Sequence, residues 1–317
     1  MRAIPFSLLL GSWLALPVQA ADAQDWLNRL AEAEQRQNFQ GTFVYERNGS
    51  FSTHSIWHRV DSAGDGEVRE RLLQLDGPVQ EVLRVNGRTQ CVSGALVDQV
   101  SDGQSWPARA LDPKQLAAWY DLRILGESRV AGRAAVVVAV LPRDQHRYGF
   151  ELHLDRETGL PLKSLLLNEK GQLLERFQFS SLDTTAPLDD ALQPSANCQP
   201  VHFAEVQAVE PNAWRSEWLP PGFNLNSVLE RRSPASAEPV ACLMYGDGLA
   251  RFSVFLEPLH GAVVEDARSQ LGPTVAVSKR MSTVDGDVMV TVVGEIPLGT
   301  AERVALSMRA GEAQTTP

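Results

Sequence analysis

The sequence predicts an α+β protein, mainly antiparallel β, in two domains. Three observations carry this: four consecutive strand patterns between residues 132 and 179, a second series of short strands after residue 213, and a proline-rich break between them. At 317 residues the chain exceeds one ordinary hydrophobic core.

The meander at 132–179 organises the first domain. Tyr148, Phe150, Leu152 and Leu154 alternate with Gly149, Glu151, His153 and Asp155, which predicts a strand with one face buried and the other in water. The preceding strand has Ala134, Val136, Val138 and Val140 on one face and Ala135, Val137, Ala139 and Leu141 on the other, so both faces should be covered. Ordinary core packing explains that, and a curved sheet holding an apolar ligand explains it too. Gly159 before Leu160-Pro161, and Glu169-Lys170-Gly171, supply tight reversals.

Residues 1–20 read as an export leader, with Arg2, an apolar run over 3–16 and the small-residue site Val18-Gln19-Ala20. No cysteine follows that site for acylation, and no later apolar run approaches a bilayer span. A soluble exported protein is expected. Losing Arg2 leaves 28 basic against 39 acidic residues, a net charge of −11, which argues against nucleic acid as a partner. Cys91, Cys198 and Cys242 permit three single-disulfide pairings and leave one thiol, expected to be buried.

An amphipathic helix is predicted over 25–38 from Trp26, Leu27, Leu30 and Ala33, started by Asp22 or Asp25 and ended by Asn38 with Gly41. Strands follow at 42–47 and 51–60 around Asn48-Gly49, at 67–75, and at 79–85 and 88–92 around Asn86-Gly87. Trp106-Pro107 breaks the pattern within 101–125. Asp112-Pro113 then caps and starts a short helix with Leu116, Trp119 and Tyr120. The linker spans 183–212, and the second domain 213–317 has strands at 226–231, 239–245 and 250–257. An Asp285-Gly286 hairpin lies between Ser282 and Val293, and a closing helix at 298–309 is capped by Thr300.

Nucleophile-elbow, zincin, phosphate-loop and dinucleotide motifs are absent from the sequence. His54 and His58 share a strand face but sit roughly 13 Å apart at about 3.3 Å per residue, too far for one ion. Asp285-Gly-Asp287 lacks the other ligands of a calcium site. Arg59, Arg69, Arg71, Arg84 and Arg88 could present guanidinium forks to phosphate, or could be solvated strand faces.

Six segments in order resemble the RseB/MucB family of periplasmic sigma-factor regulators, nearest its MucB branch. They are Asn38-Phe-Gln-Gly-Thr-Phe-Val-Tyr45, Glu70-Arg-Leu-Leu-Gln-Leu-Asp-Gly-Pro78, Pro142-Arg-Asp-Gln-His-Arg-Tyr-Gly149, Trp218-Leu-Pro-Pro-Gly-Phe223, Tyr245-Gly-Asp-Gly-Leu-Ala250 and Val290-Thr-Val-Val-Gly-Glu295. The resemblance implies a LolA/LolB-like open half-barrel with covering helices over 21–182, followed by a smaller sheet-and-helix domain. It implies a soluble, non-enzymatic periplasmic protein without cofactor that binds the periplasmic domain of a single-span anti-sigma factor (RseA/MucA-like). Such a regulator shields its partner from regulated proteolysis and, in the MucB branch, restrains alginate production. Lipid A or lipoprotein acyl chains would enter the half-barrel and release the partner.

On that reading the lipid contacts are Phe43, Tyr45, Ile56, Trp57, Leu73, Leu83, Val138, Phe150 and Leu152, with Arg69 and Arg71 for phosphates, and the partner contacts are Trp214, Trp218, Phe223 and Tyr245. Core packing is the plainer reading of Trp218 and Tyr245. A one-residue slip in register would turn every choice on a strand to the other face. A LolA-type lipoprotein or lipid carrier is the alternative, although such a carrier would end near the linker. Exposed edges of either sheet could pair with a second copy.

Overall fold

The structure is a computed structural model that describes residues 16–61, 66–94, 111–201, 214–233, 236, 238–284 and 286–310. Residues 1–15 of the expected leader, 101–110 with Trp106-Pro107, the linker residues 202–212, and Asp285 lie outside the described residues.

The first domain is one antiparallel sheet of eleven strands. In chain order these are β1 (Phe39–Arg47), β2 (Ser50–Val60), β3 (Val68–Gln74), β4 (Glu81–Val85), β5 (Arg88–Val92), β6 (Tyr120–Val130), β7 (Arg133–Pro142), β8 (Gly149–Asp155), β9 (Pro161–Leu167), β10 (Leu173–Asp183) and β11 (Gln199–Pro200). Across the sheet they run β11-β5-β4-β3-β2-β1-β10-β9-β8-β7-β6, so it stays open with β6 at one edge. Asn48-Gly49 and Asn86-Gly87 both have positive φ at each residue, which matches the twist of a two-residue hairpin.

Helix α1 (Leu16–Arg36) lies across one face of this sheet, burying Ala23, Leu27, Leu30 and Ala33. It runs longer at its start than the pattern predicts, and it stops before Asn38. Gly41 belongs to β1, where a Cβ would collide with the Ser181 carbonyl, so close strand approach rather than helix capping explains that glycine. Helix α2 (Pro113–Trp119) starts as expected, with the Asp112 carboxylate accepting from the backbone N–H groups of Lys114 and Gln115. Leu116 and Tyr120 complete a core with α1, Val136, Val138, Val140 and Leu154.

Two expectations change here. Residues 120–130, left without a strand in the sequence reading, form β6, whose bulge between Ile124 and Gly126 shifts the alternation. The polar face of β8 is not in water: His153 bonds Ser128 and Glu151, and Asp155 bonds Arg133, all with little exposure of His153 and Asp155.

Residues after β10 are held against the opposite face of β2–β5. A short 3-10 turn (Asp189–Leu192) and β11 form a strap fixed by the Cys91–Cys198 disulfide, by Arg59 to Asp189 at 2.5 Å, and by Ser195 on the buried Glu81 carboxylate. The remaining thiol, Cys242, is buried as expected, and burial pushes it up to about 11.

The second domain is a six-stranded antiparallel sheet ordered β13-β14-β15-β18-β17-β16, from β13 (Asn224–Arg232), β14 (Pro239–Gly246), β15 (Arg251–Pro258), β16 (Ala267–Leu271), β17 (Thr274–Thr283) and β18 (Gly286–Gly294). Helix α3 (Leu298–Ser307) buries Ala301, Val304 and Ala305 against it. The two short strands β12 (Trp214–Ser216) and β19 (Met308–Ala310) pair beside it. Thr300 is not the cap of α3. It sits inside the first turn, and its hydroxyl meets His146 of the other domain at 3.1 Å.

Candidate functional site: a two-domain cavity and its ionic latch

A cavity of about 1180 Å³ lies between the first sheet, α1 and one edge of the second domain. Its walls include Thr89 of β5 and Val140 of β7, eight strand steps apart in the sheet order. At about 4.8 Å per step a flat sheet would separate them by roughly 38 Å, so the sheet must curl around the space. Phe39, Ile56, Phe150, Leu152, Phe177 and Phe179 give the floor, Leu27 and Leu30 of α1 the cover. Met244, Gly246 and residues 248–251 of β14, β15 and the turn between them close one side.

The lining is largely apolar, with Ser164, Asn226, Ser227 and Arg251 among its polar members, and its two acidic groups lie at the β3–β5 end. There Glu34 of α1 and His58, Glu70 and Arg84 converge. His58 is 6 % exposed and stacks on Phe39 at 4.7 Å, yet neither ring nitrogen has a hydrogen-bond partner. A Glu70 oxygen lies 3.6 Å from Nδ1, and Arg84 bonds the other Glu70 oxygen at 3.0 Å. Burial works to raise Glu70, but contacts from His58 and Arg84 outweigh it and hold the carboxyl low. Burial, then the neighbouring Glu70, push Glu34 up. His54 also stacks, on Phe43 at 5.1 Å. No group of three metal-ligating side chains occurs among the described residues.

Beside the cavity the domains meet on a buried ion pair. Arg147 and Asp247 are both fully buried and 2.6 Å apart. The Arg147 guanidinium also donates to Asp144 and to the Pro221 carbonyl, while Tyr120 donates to Asp247 at 3.0 Å. Phe223, Tyr120 and Trp119 surround the cation at 5.1, 5.4 and 5.9 Å. Nearly every polar group of the pair is satisfied, the condition under which a buried charge is tolerated. Asp247 accepts from the N–H groups of Leu249 and Ala250 as well, so one carboxylate fixes both the latch and the turn that walls the cavity. Gly222 has φ +86, and a Cβ there would overlap the Trp119 indole. Three of the six family-like segments therefore meet at this one point: 142–149, 218–223 and 245–250. A second contact joins Arg47 to Thr274 and, at 3.2 Å, to Glu295, with Tyr45 donating to Glu175 beside it.

The sequence-derived contacts divide between the two sheet faces. Ile56, Phe150 and Leu152 line the cavity; Phe43 and Tyr45 pack just beyond it, and Val138 is buried in the α1 core behind it. Trp57, Arg69, Arg71, Leu73 and Leu83 belong to the other face, since Ile56 pairs with Leu72 and Trp57 with Arg71. Arg71 is committed there to Glu81, the Ala191 carbonyl and the Trp57 ring. Arg69 pairs with Glu67, so neither arginine opens into the cavity. On that face they lie away from the cavity expected to hold a lipid: Ile56 and Trp57 are both apolar because the cavity takes the first and the strap's face takes the second.

Phe223 and Tyr245, named as partner contacts with core packing the plainer reading of Tyr245, are both buried in the second domain's core. Phe223 is 4 % exposed under Arg147, and Tyr245 stacks on Phe252. Trp214 and Trp218 remain partly exposed; Arg303 lies 3.8 Å over the Trp218 ring and His146 meets its edge. Glu34, His58, Glu70 and the Arg147–Asp247 pair were missed. Glu70, Arg147 and Asp247 fall within the family-like segments, whereas no local pattern marks Glu34, and His58 stood out only as a strand-face neighbour of His54.

The chain matches the MucB/RseB N-terminal domain over residues 22–197 and the MucB/RseB C-terminal domain over 208–309. It is 72 % identical over 311 residues to the sigma factor AlgU regulatory protein MucB of Pseudomonas aeruginosa, covering 98 % of each chain. The solved complex of Pseudomonas aeruginosa MucA/MucB superposes with a TM-score of 0.83 at 72 % identity, over 92 % of this chain and all of that one. A crystal structure of MucB gives a TM-score of 0.67 at 70 % identity, over 92 % of this chain and 98 % of that one.

Proposed function

The chain belongs to the MucB/RseB family of sigma-factor regulatory proteins, and on that premise we propose that it is a non-catalytic periplasmic regulator which binds the periplasmic segment of a single-span, MucA-like anti-sigma factor. Bound, it shields that segment from regulated proteolysis and keeps the sigma factor silent; in this branch of the family the output restrained is alginate production. An acyl chain of lipid A or of a lipoprotein entering the cavity releases the partner. The leader over residues 1–20 exports the chain.

The observation that carries the partner reading is the near full-length likeness to the MucA/MucB complex. For signal-driven release the support is the shared wall: Met244, Gly246 and residues 248–251 line the cavity and flank Asp247 of the latch. A ligand that needs those residues displaced works against the same contacts that fix the domain arrangement. The lower TM-score to MucB than to the MucA/MucB complex, at similar identity and coverage, fits a fold that holds its two domains in more than one arrangement. By linkage, a lipid that weakens the partner must itself bind more weakly to the complex by the same factor, typically about 5- to 150-fold.

Limited proteolysis tests this. The MucA-like periplasmic segment should be cleaved several-fold more slowly with an equimolar amount of this protein, and the protection should fall when an acylated peptide or lipid A is added. Equal cleavage rates with and without the protein would end the regulator reading. Binding of an acylated peptide without binding of the segment would favour the carrier alternative.

A further inference from the structure

We propose that the β3–β5 end of the cavity is a subsite for the uncharged hydrogen-bonding group next to an acyl chain, a hydroxyl, ester or amide, and that it excludes phosphate. The inference rests on the lipid-binding reading above and adds to it which part of a lipid lies where.

The carboxyl groups of the cavity lie at one end. Aromatic and aliphatic side chains of the sheet and α1 make up most of its walls, whereas Glu34, His58, Glu70 and Arg84 cluster together. His58 carries the argument: it is more than nine-tenths buried, lines the cavity, and has no partner within hydrogen-bond distance on either ring nitrogen, Nδ1 lying 3.6 Å from Glu70. A buried polar group left so is costly, and a ligand offering both a donor and an acceptor would satisfy it. The ring stacks on Phe39, which favours its present orientation. An acyl chain lying over Phe39, Ile56 and Phe177 would bring its first polar group to this histidine.

Charge then selects the chemistry. Two carboxyl groups face one guanidinium, and Arg84 is already engaged with Glu70 at 3.0 Å. Arg59, Arg69 and Arg71 face the opposite side of the sheet, held by the strap, Glu67 and Glu81, and Arg251 belongs to the second domain's wall of the cavity rather than to β3–β5. A phosphate here would meet net negative charge in a partly desolvated site. An uncharged head would not. A phosphorylated lipid would bind only with its phosphate outside this end.

The test uses the full mature chain and two probes with one chain length, 1-oleoylglycerol and 1-oleoylglycerol 3-phosphate, titrated calorimetrically near pH 7. The uncharged probe should bind at least about tenfold more tightly. Glu34→Gln with Glu70→Gln should shrink that preference to about threefold or less. His58→Phe, which keeps the stack on Phe39, should weaken the uncharged probe about fivefold, the worth of one hydrogen bond, and leave the phosphate unchanged. Equal or tighter binding of the phosphate by the unaltered protein would overturn the inference while leaving lipid binding intact. Failure of both probes and of oleate to bind would remove the lipid-binding reading itself. The comparison in the unaltered chain needs no variant to fold.

Discussion

Asp247→Asn is the sharpest perturbation of the two-domain arrangement. The side chain keeps its size, but four groups now donate towards it: Arg147 at 2.6 Å, Tyr120 at 3.0 Å, and the backbone N–H groups of Leu249 and Ala250 at 2.9 and 2.7 Å. An amide offers one acceptor oxygen to these and turns its own donors on the rest, and Arg147 remains fully buried with Asp144 as its only carboxylate. Breaking one side of a buried pair costs about 3–5 kcal/mol, most of it the uncompensated charge left behind. Urea unfolding of the full chain would be followed by tryptophan fluorescence, because Trp119 sits at the latch, together with small-angle scattering of the undenatured variant. The expected result is a loss in that range and an expanded envelope as the domains part. Replacing both members, Arg147→Met with Asp247→Leu, should cost less than Asp247→Asn alone, since no charge is then stranded. A loss below about 1 kcal/mol for Asp247→Asn, with scattering unchanged, would refute the claim that this pair joins the domains.

Three more outcomes follow from particular contacts. Burial acts to raise the Glu81 carboxyl, but bonds from Ser195 and Arg71 outweigh it and set it below the ordinary range, so its contribution should be present above the unfolded carboxylate value and lost as pH falls through the lower folded one. Glu81→Gln should therefore be less stable than the unaltered protein at neutral pH and equal to it in acid, read by thermal melts across pH. Reducing Cys91–Cys198, which closes 107 residues, should cost about 2–5 kcal/mol and expose the strap to proteolysis, measured by urea unfolding with and without reductant. Cys242, pushed up to about 11 by burial, should resist alkylation at pH 8 until the second domain unfolds, so its labelling in urea should track that domain's transition.

Much of the fold is written locally. Asn48-Gly49 and Asn86-Gly87 fix hairpins by their positive φ, and Asp112-Pro113 fixes a helix start, because each signal needs only two or three neighbours. Elements that lack such a signal were not legible. The strand β16 reads Ala-Arg-Ser-Gln-Leu and is exposed along its length, so an edge position rather than any apolar rhythm makes it a strand. The bulge near Gly126 splits the alternation of β6 in two. Which face of a strand meets the cavity depends on curl and on the strap, both set by residues far away. Hence Ile56 and Trp57 look alike in sequence and part company in the structure. The latch joins residues 100 apart, and no local pattern marks Arg147 as buried.

The central claim is that filling the cavity and holding the anti-sigma segment are coupled. The most direct measurement is the affinity of the full chain for the fluorescently labelled periplasmic segment of a MucA-like protein, taken at rising concentrations of an acylated peptide. The account predicts that the dissociation constant rises by about 5- to 150-fold and levels off once the cavity is full. A dissociation constant that stays flat while the acylated peptide demonstrably binds would contradict it.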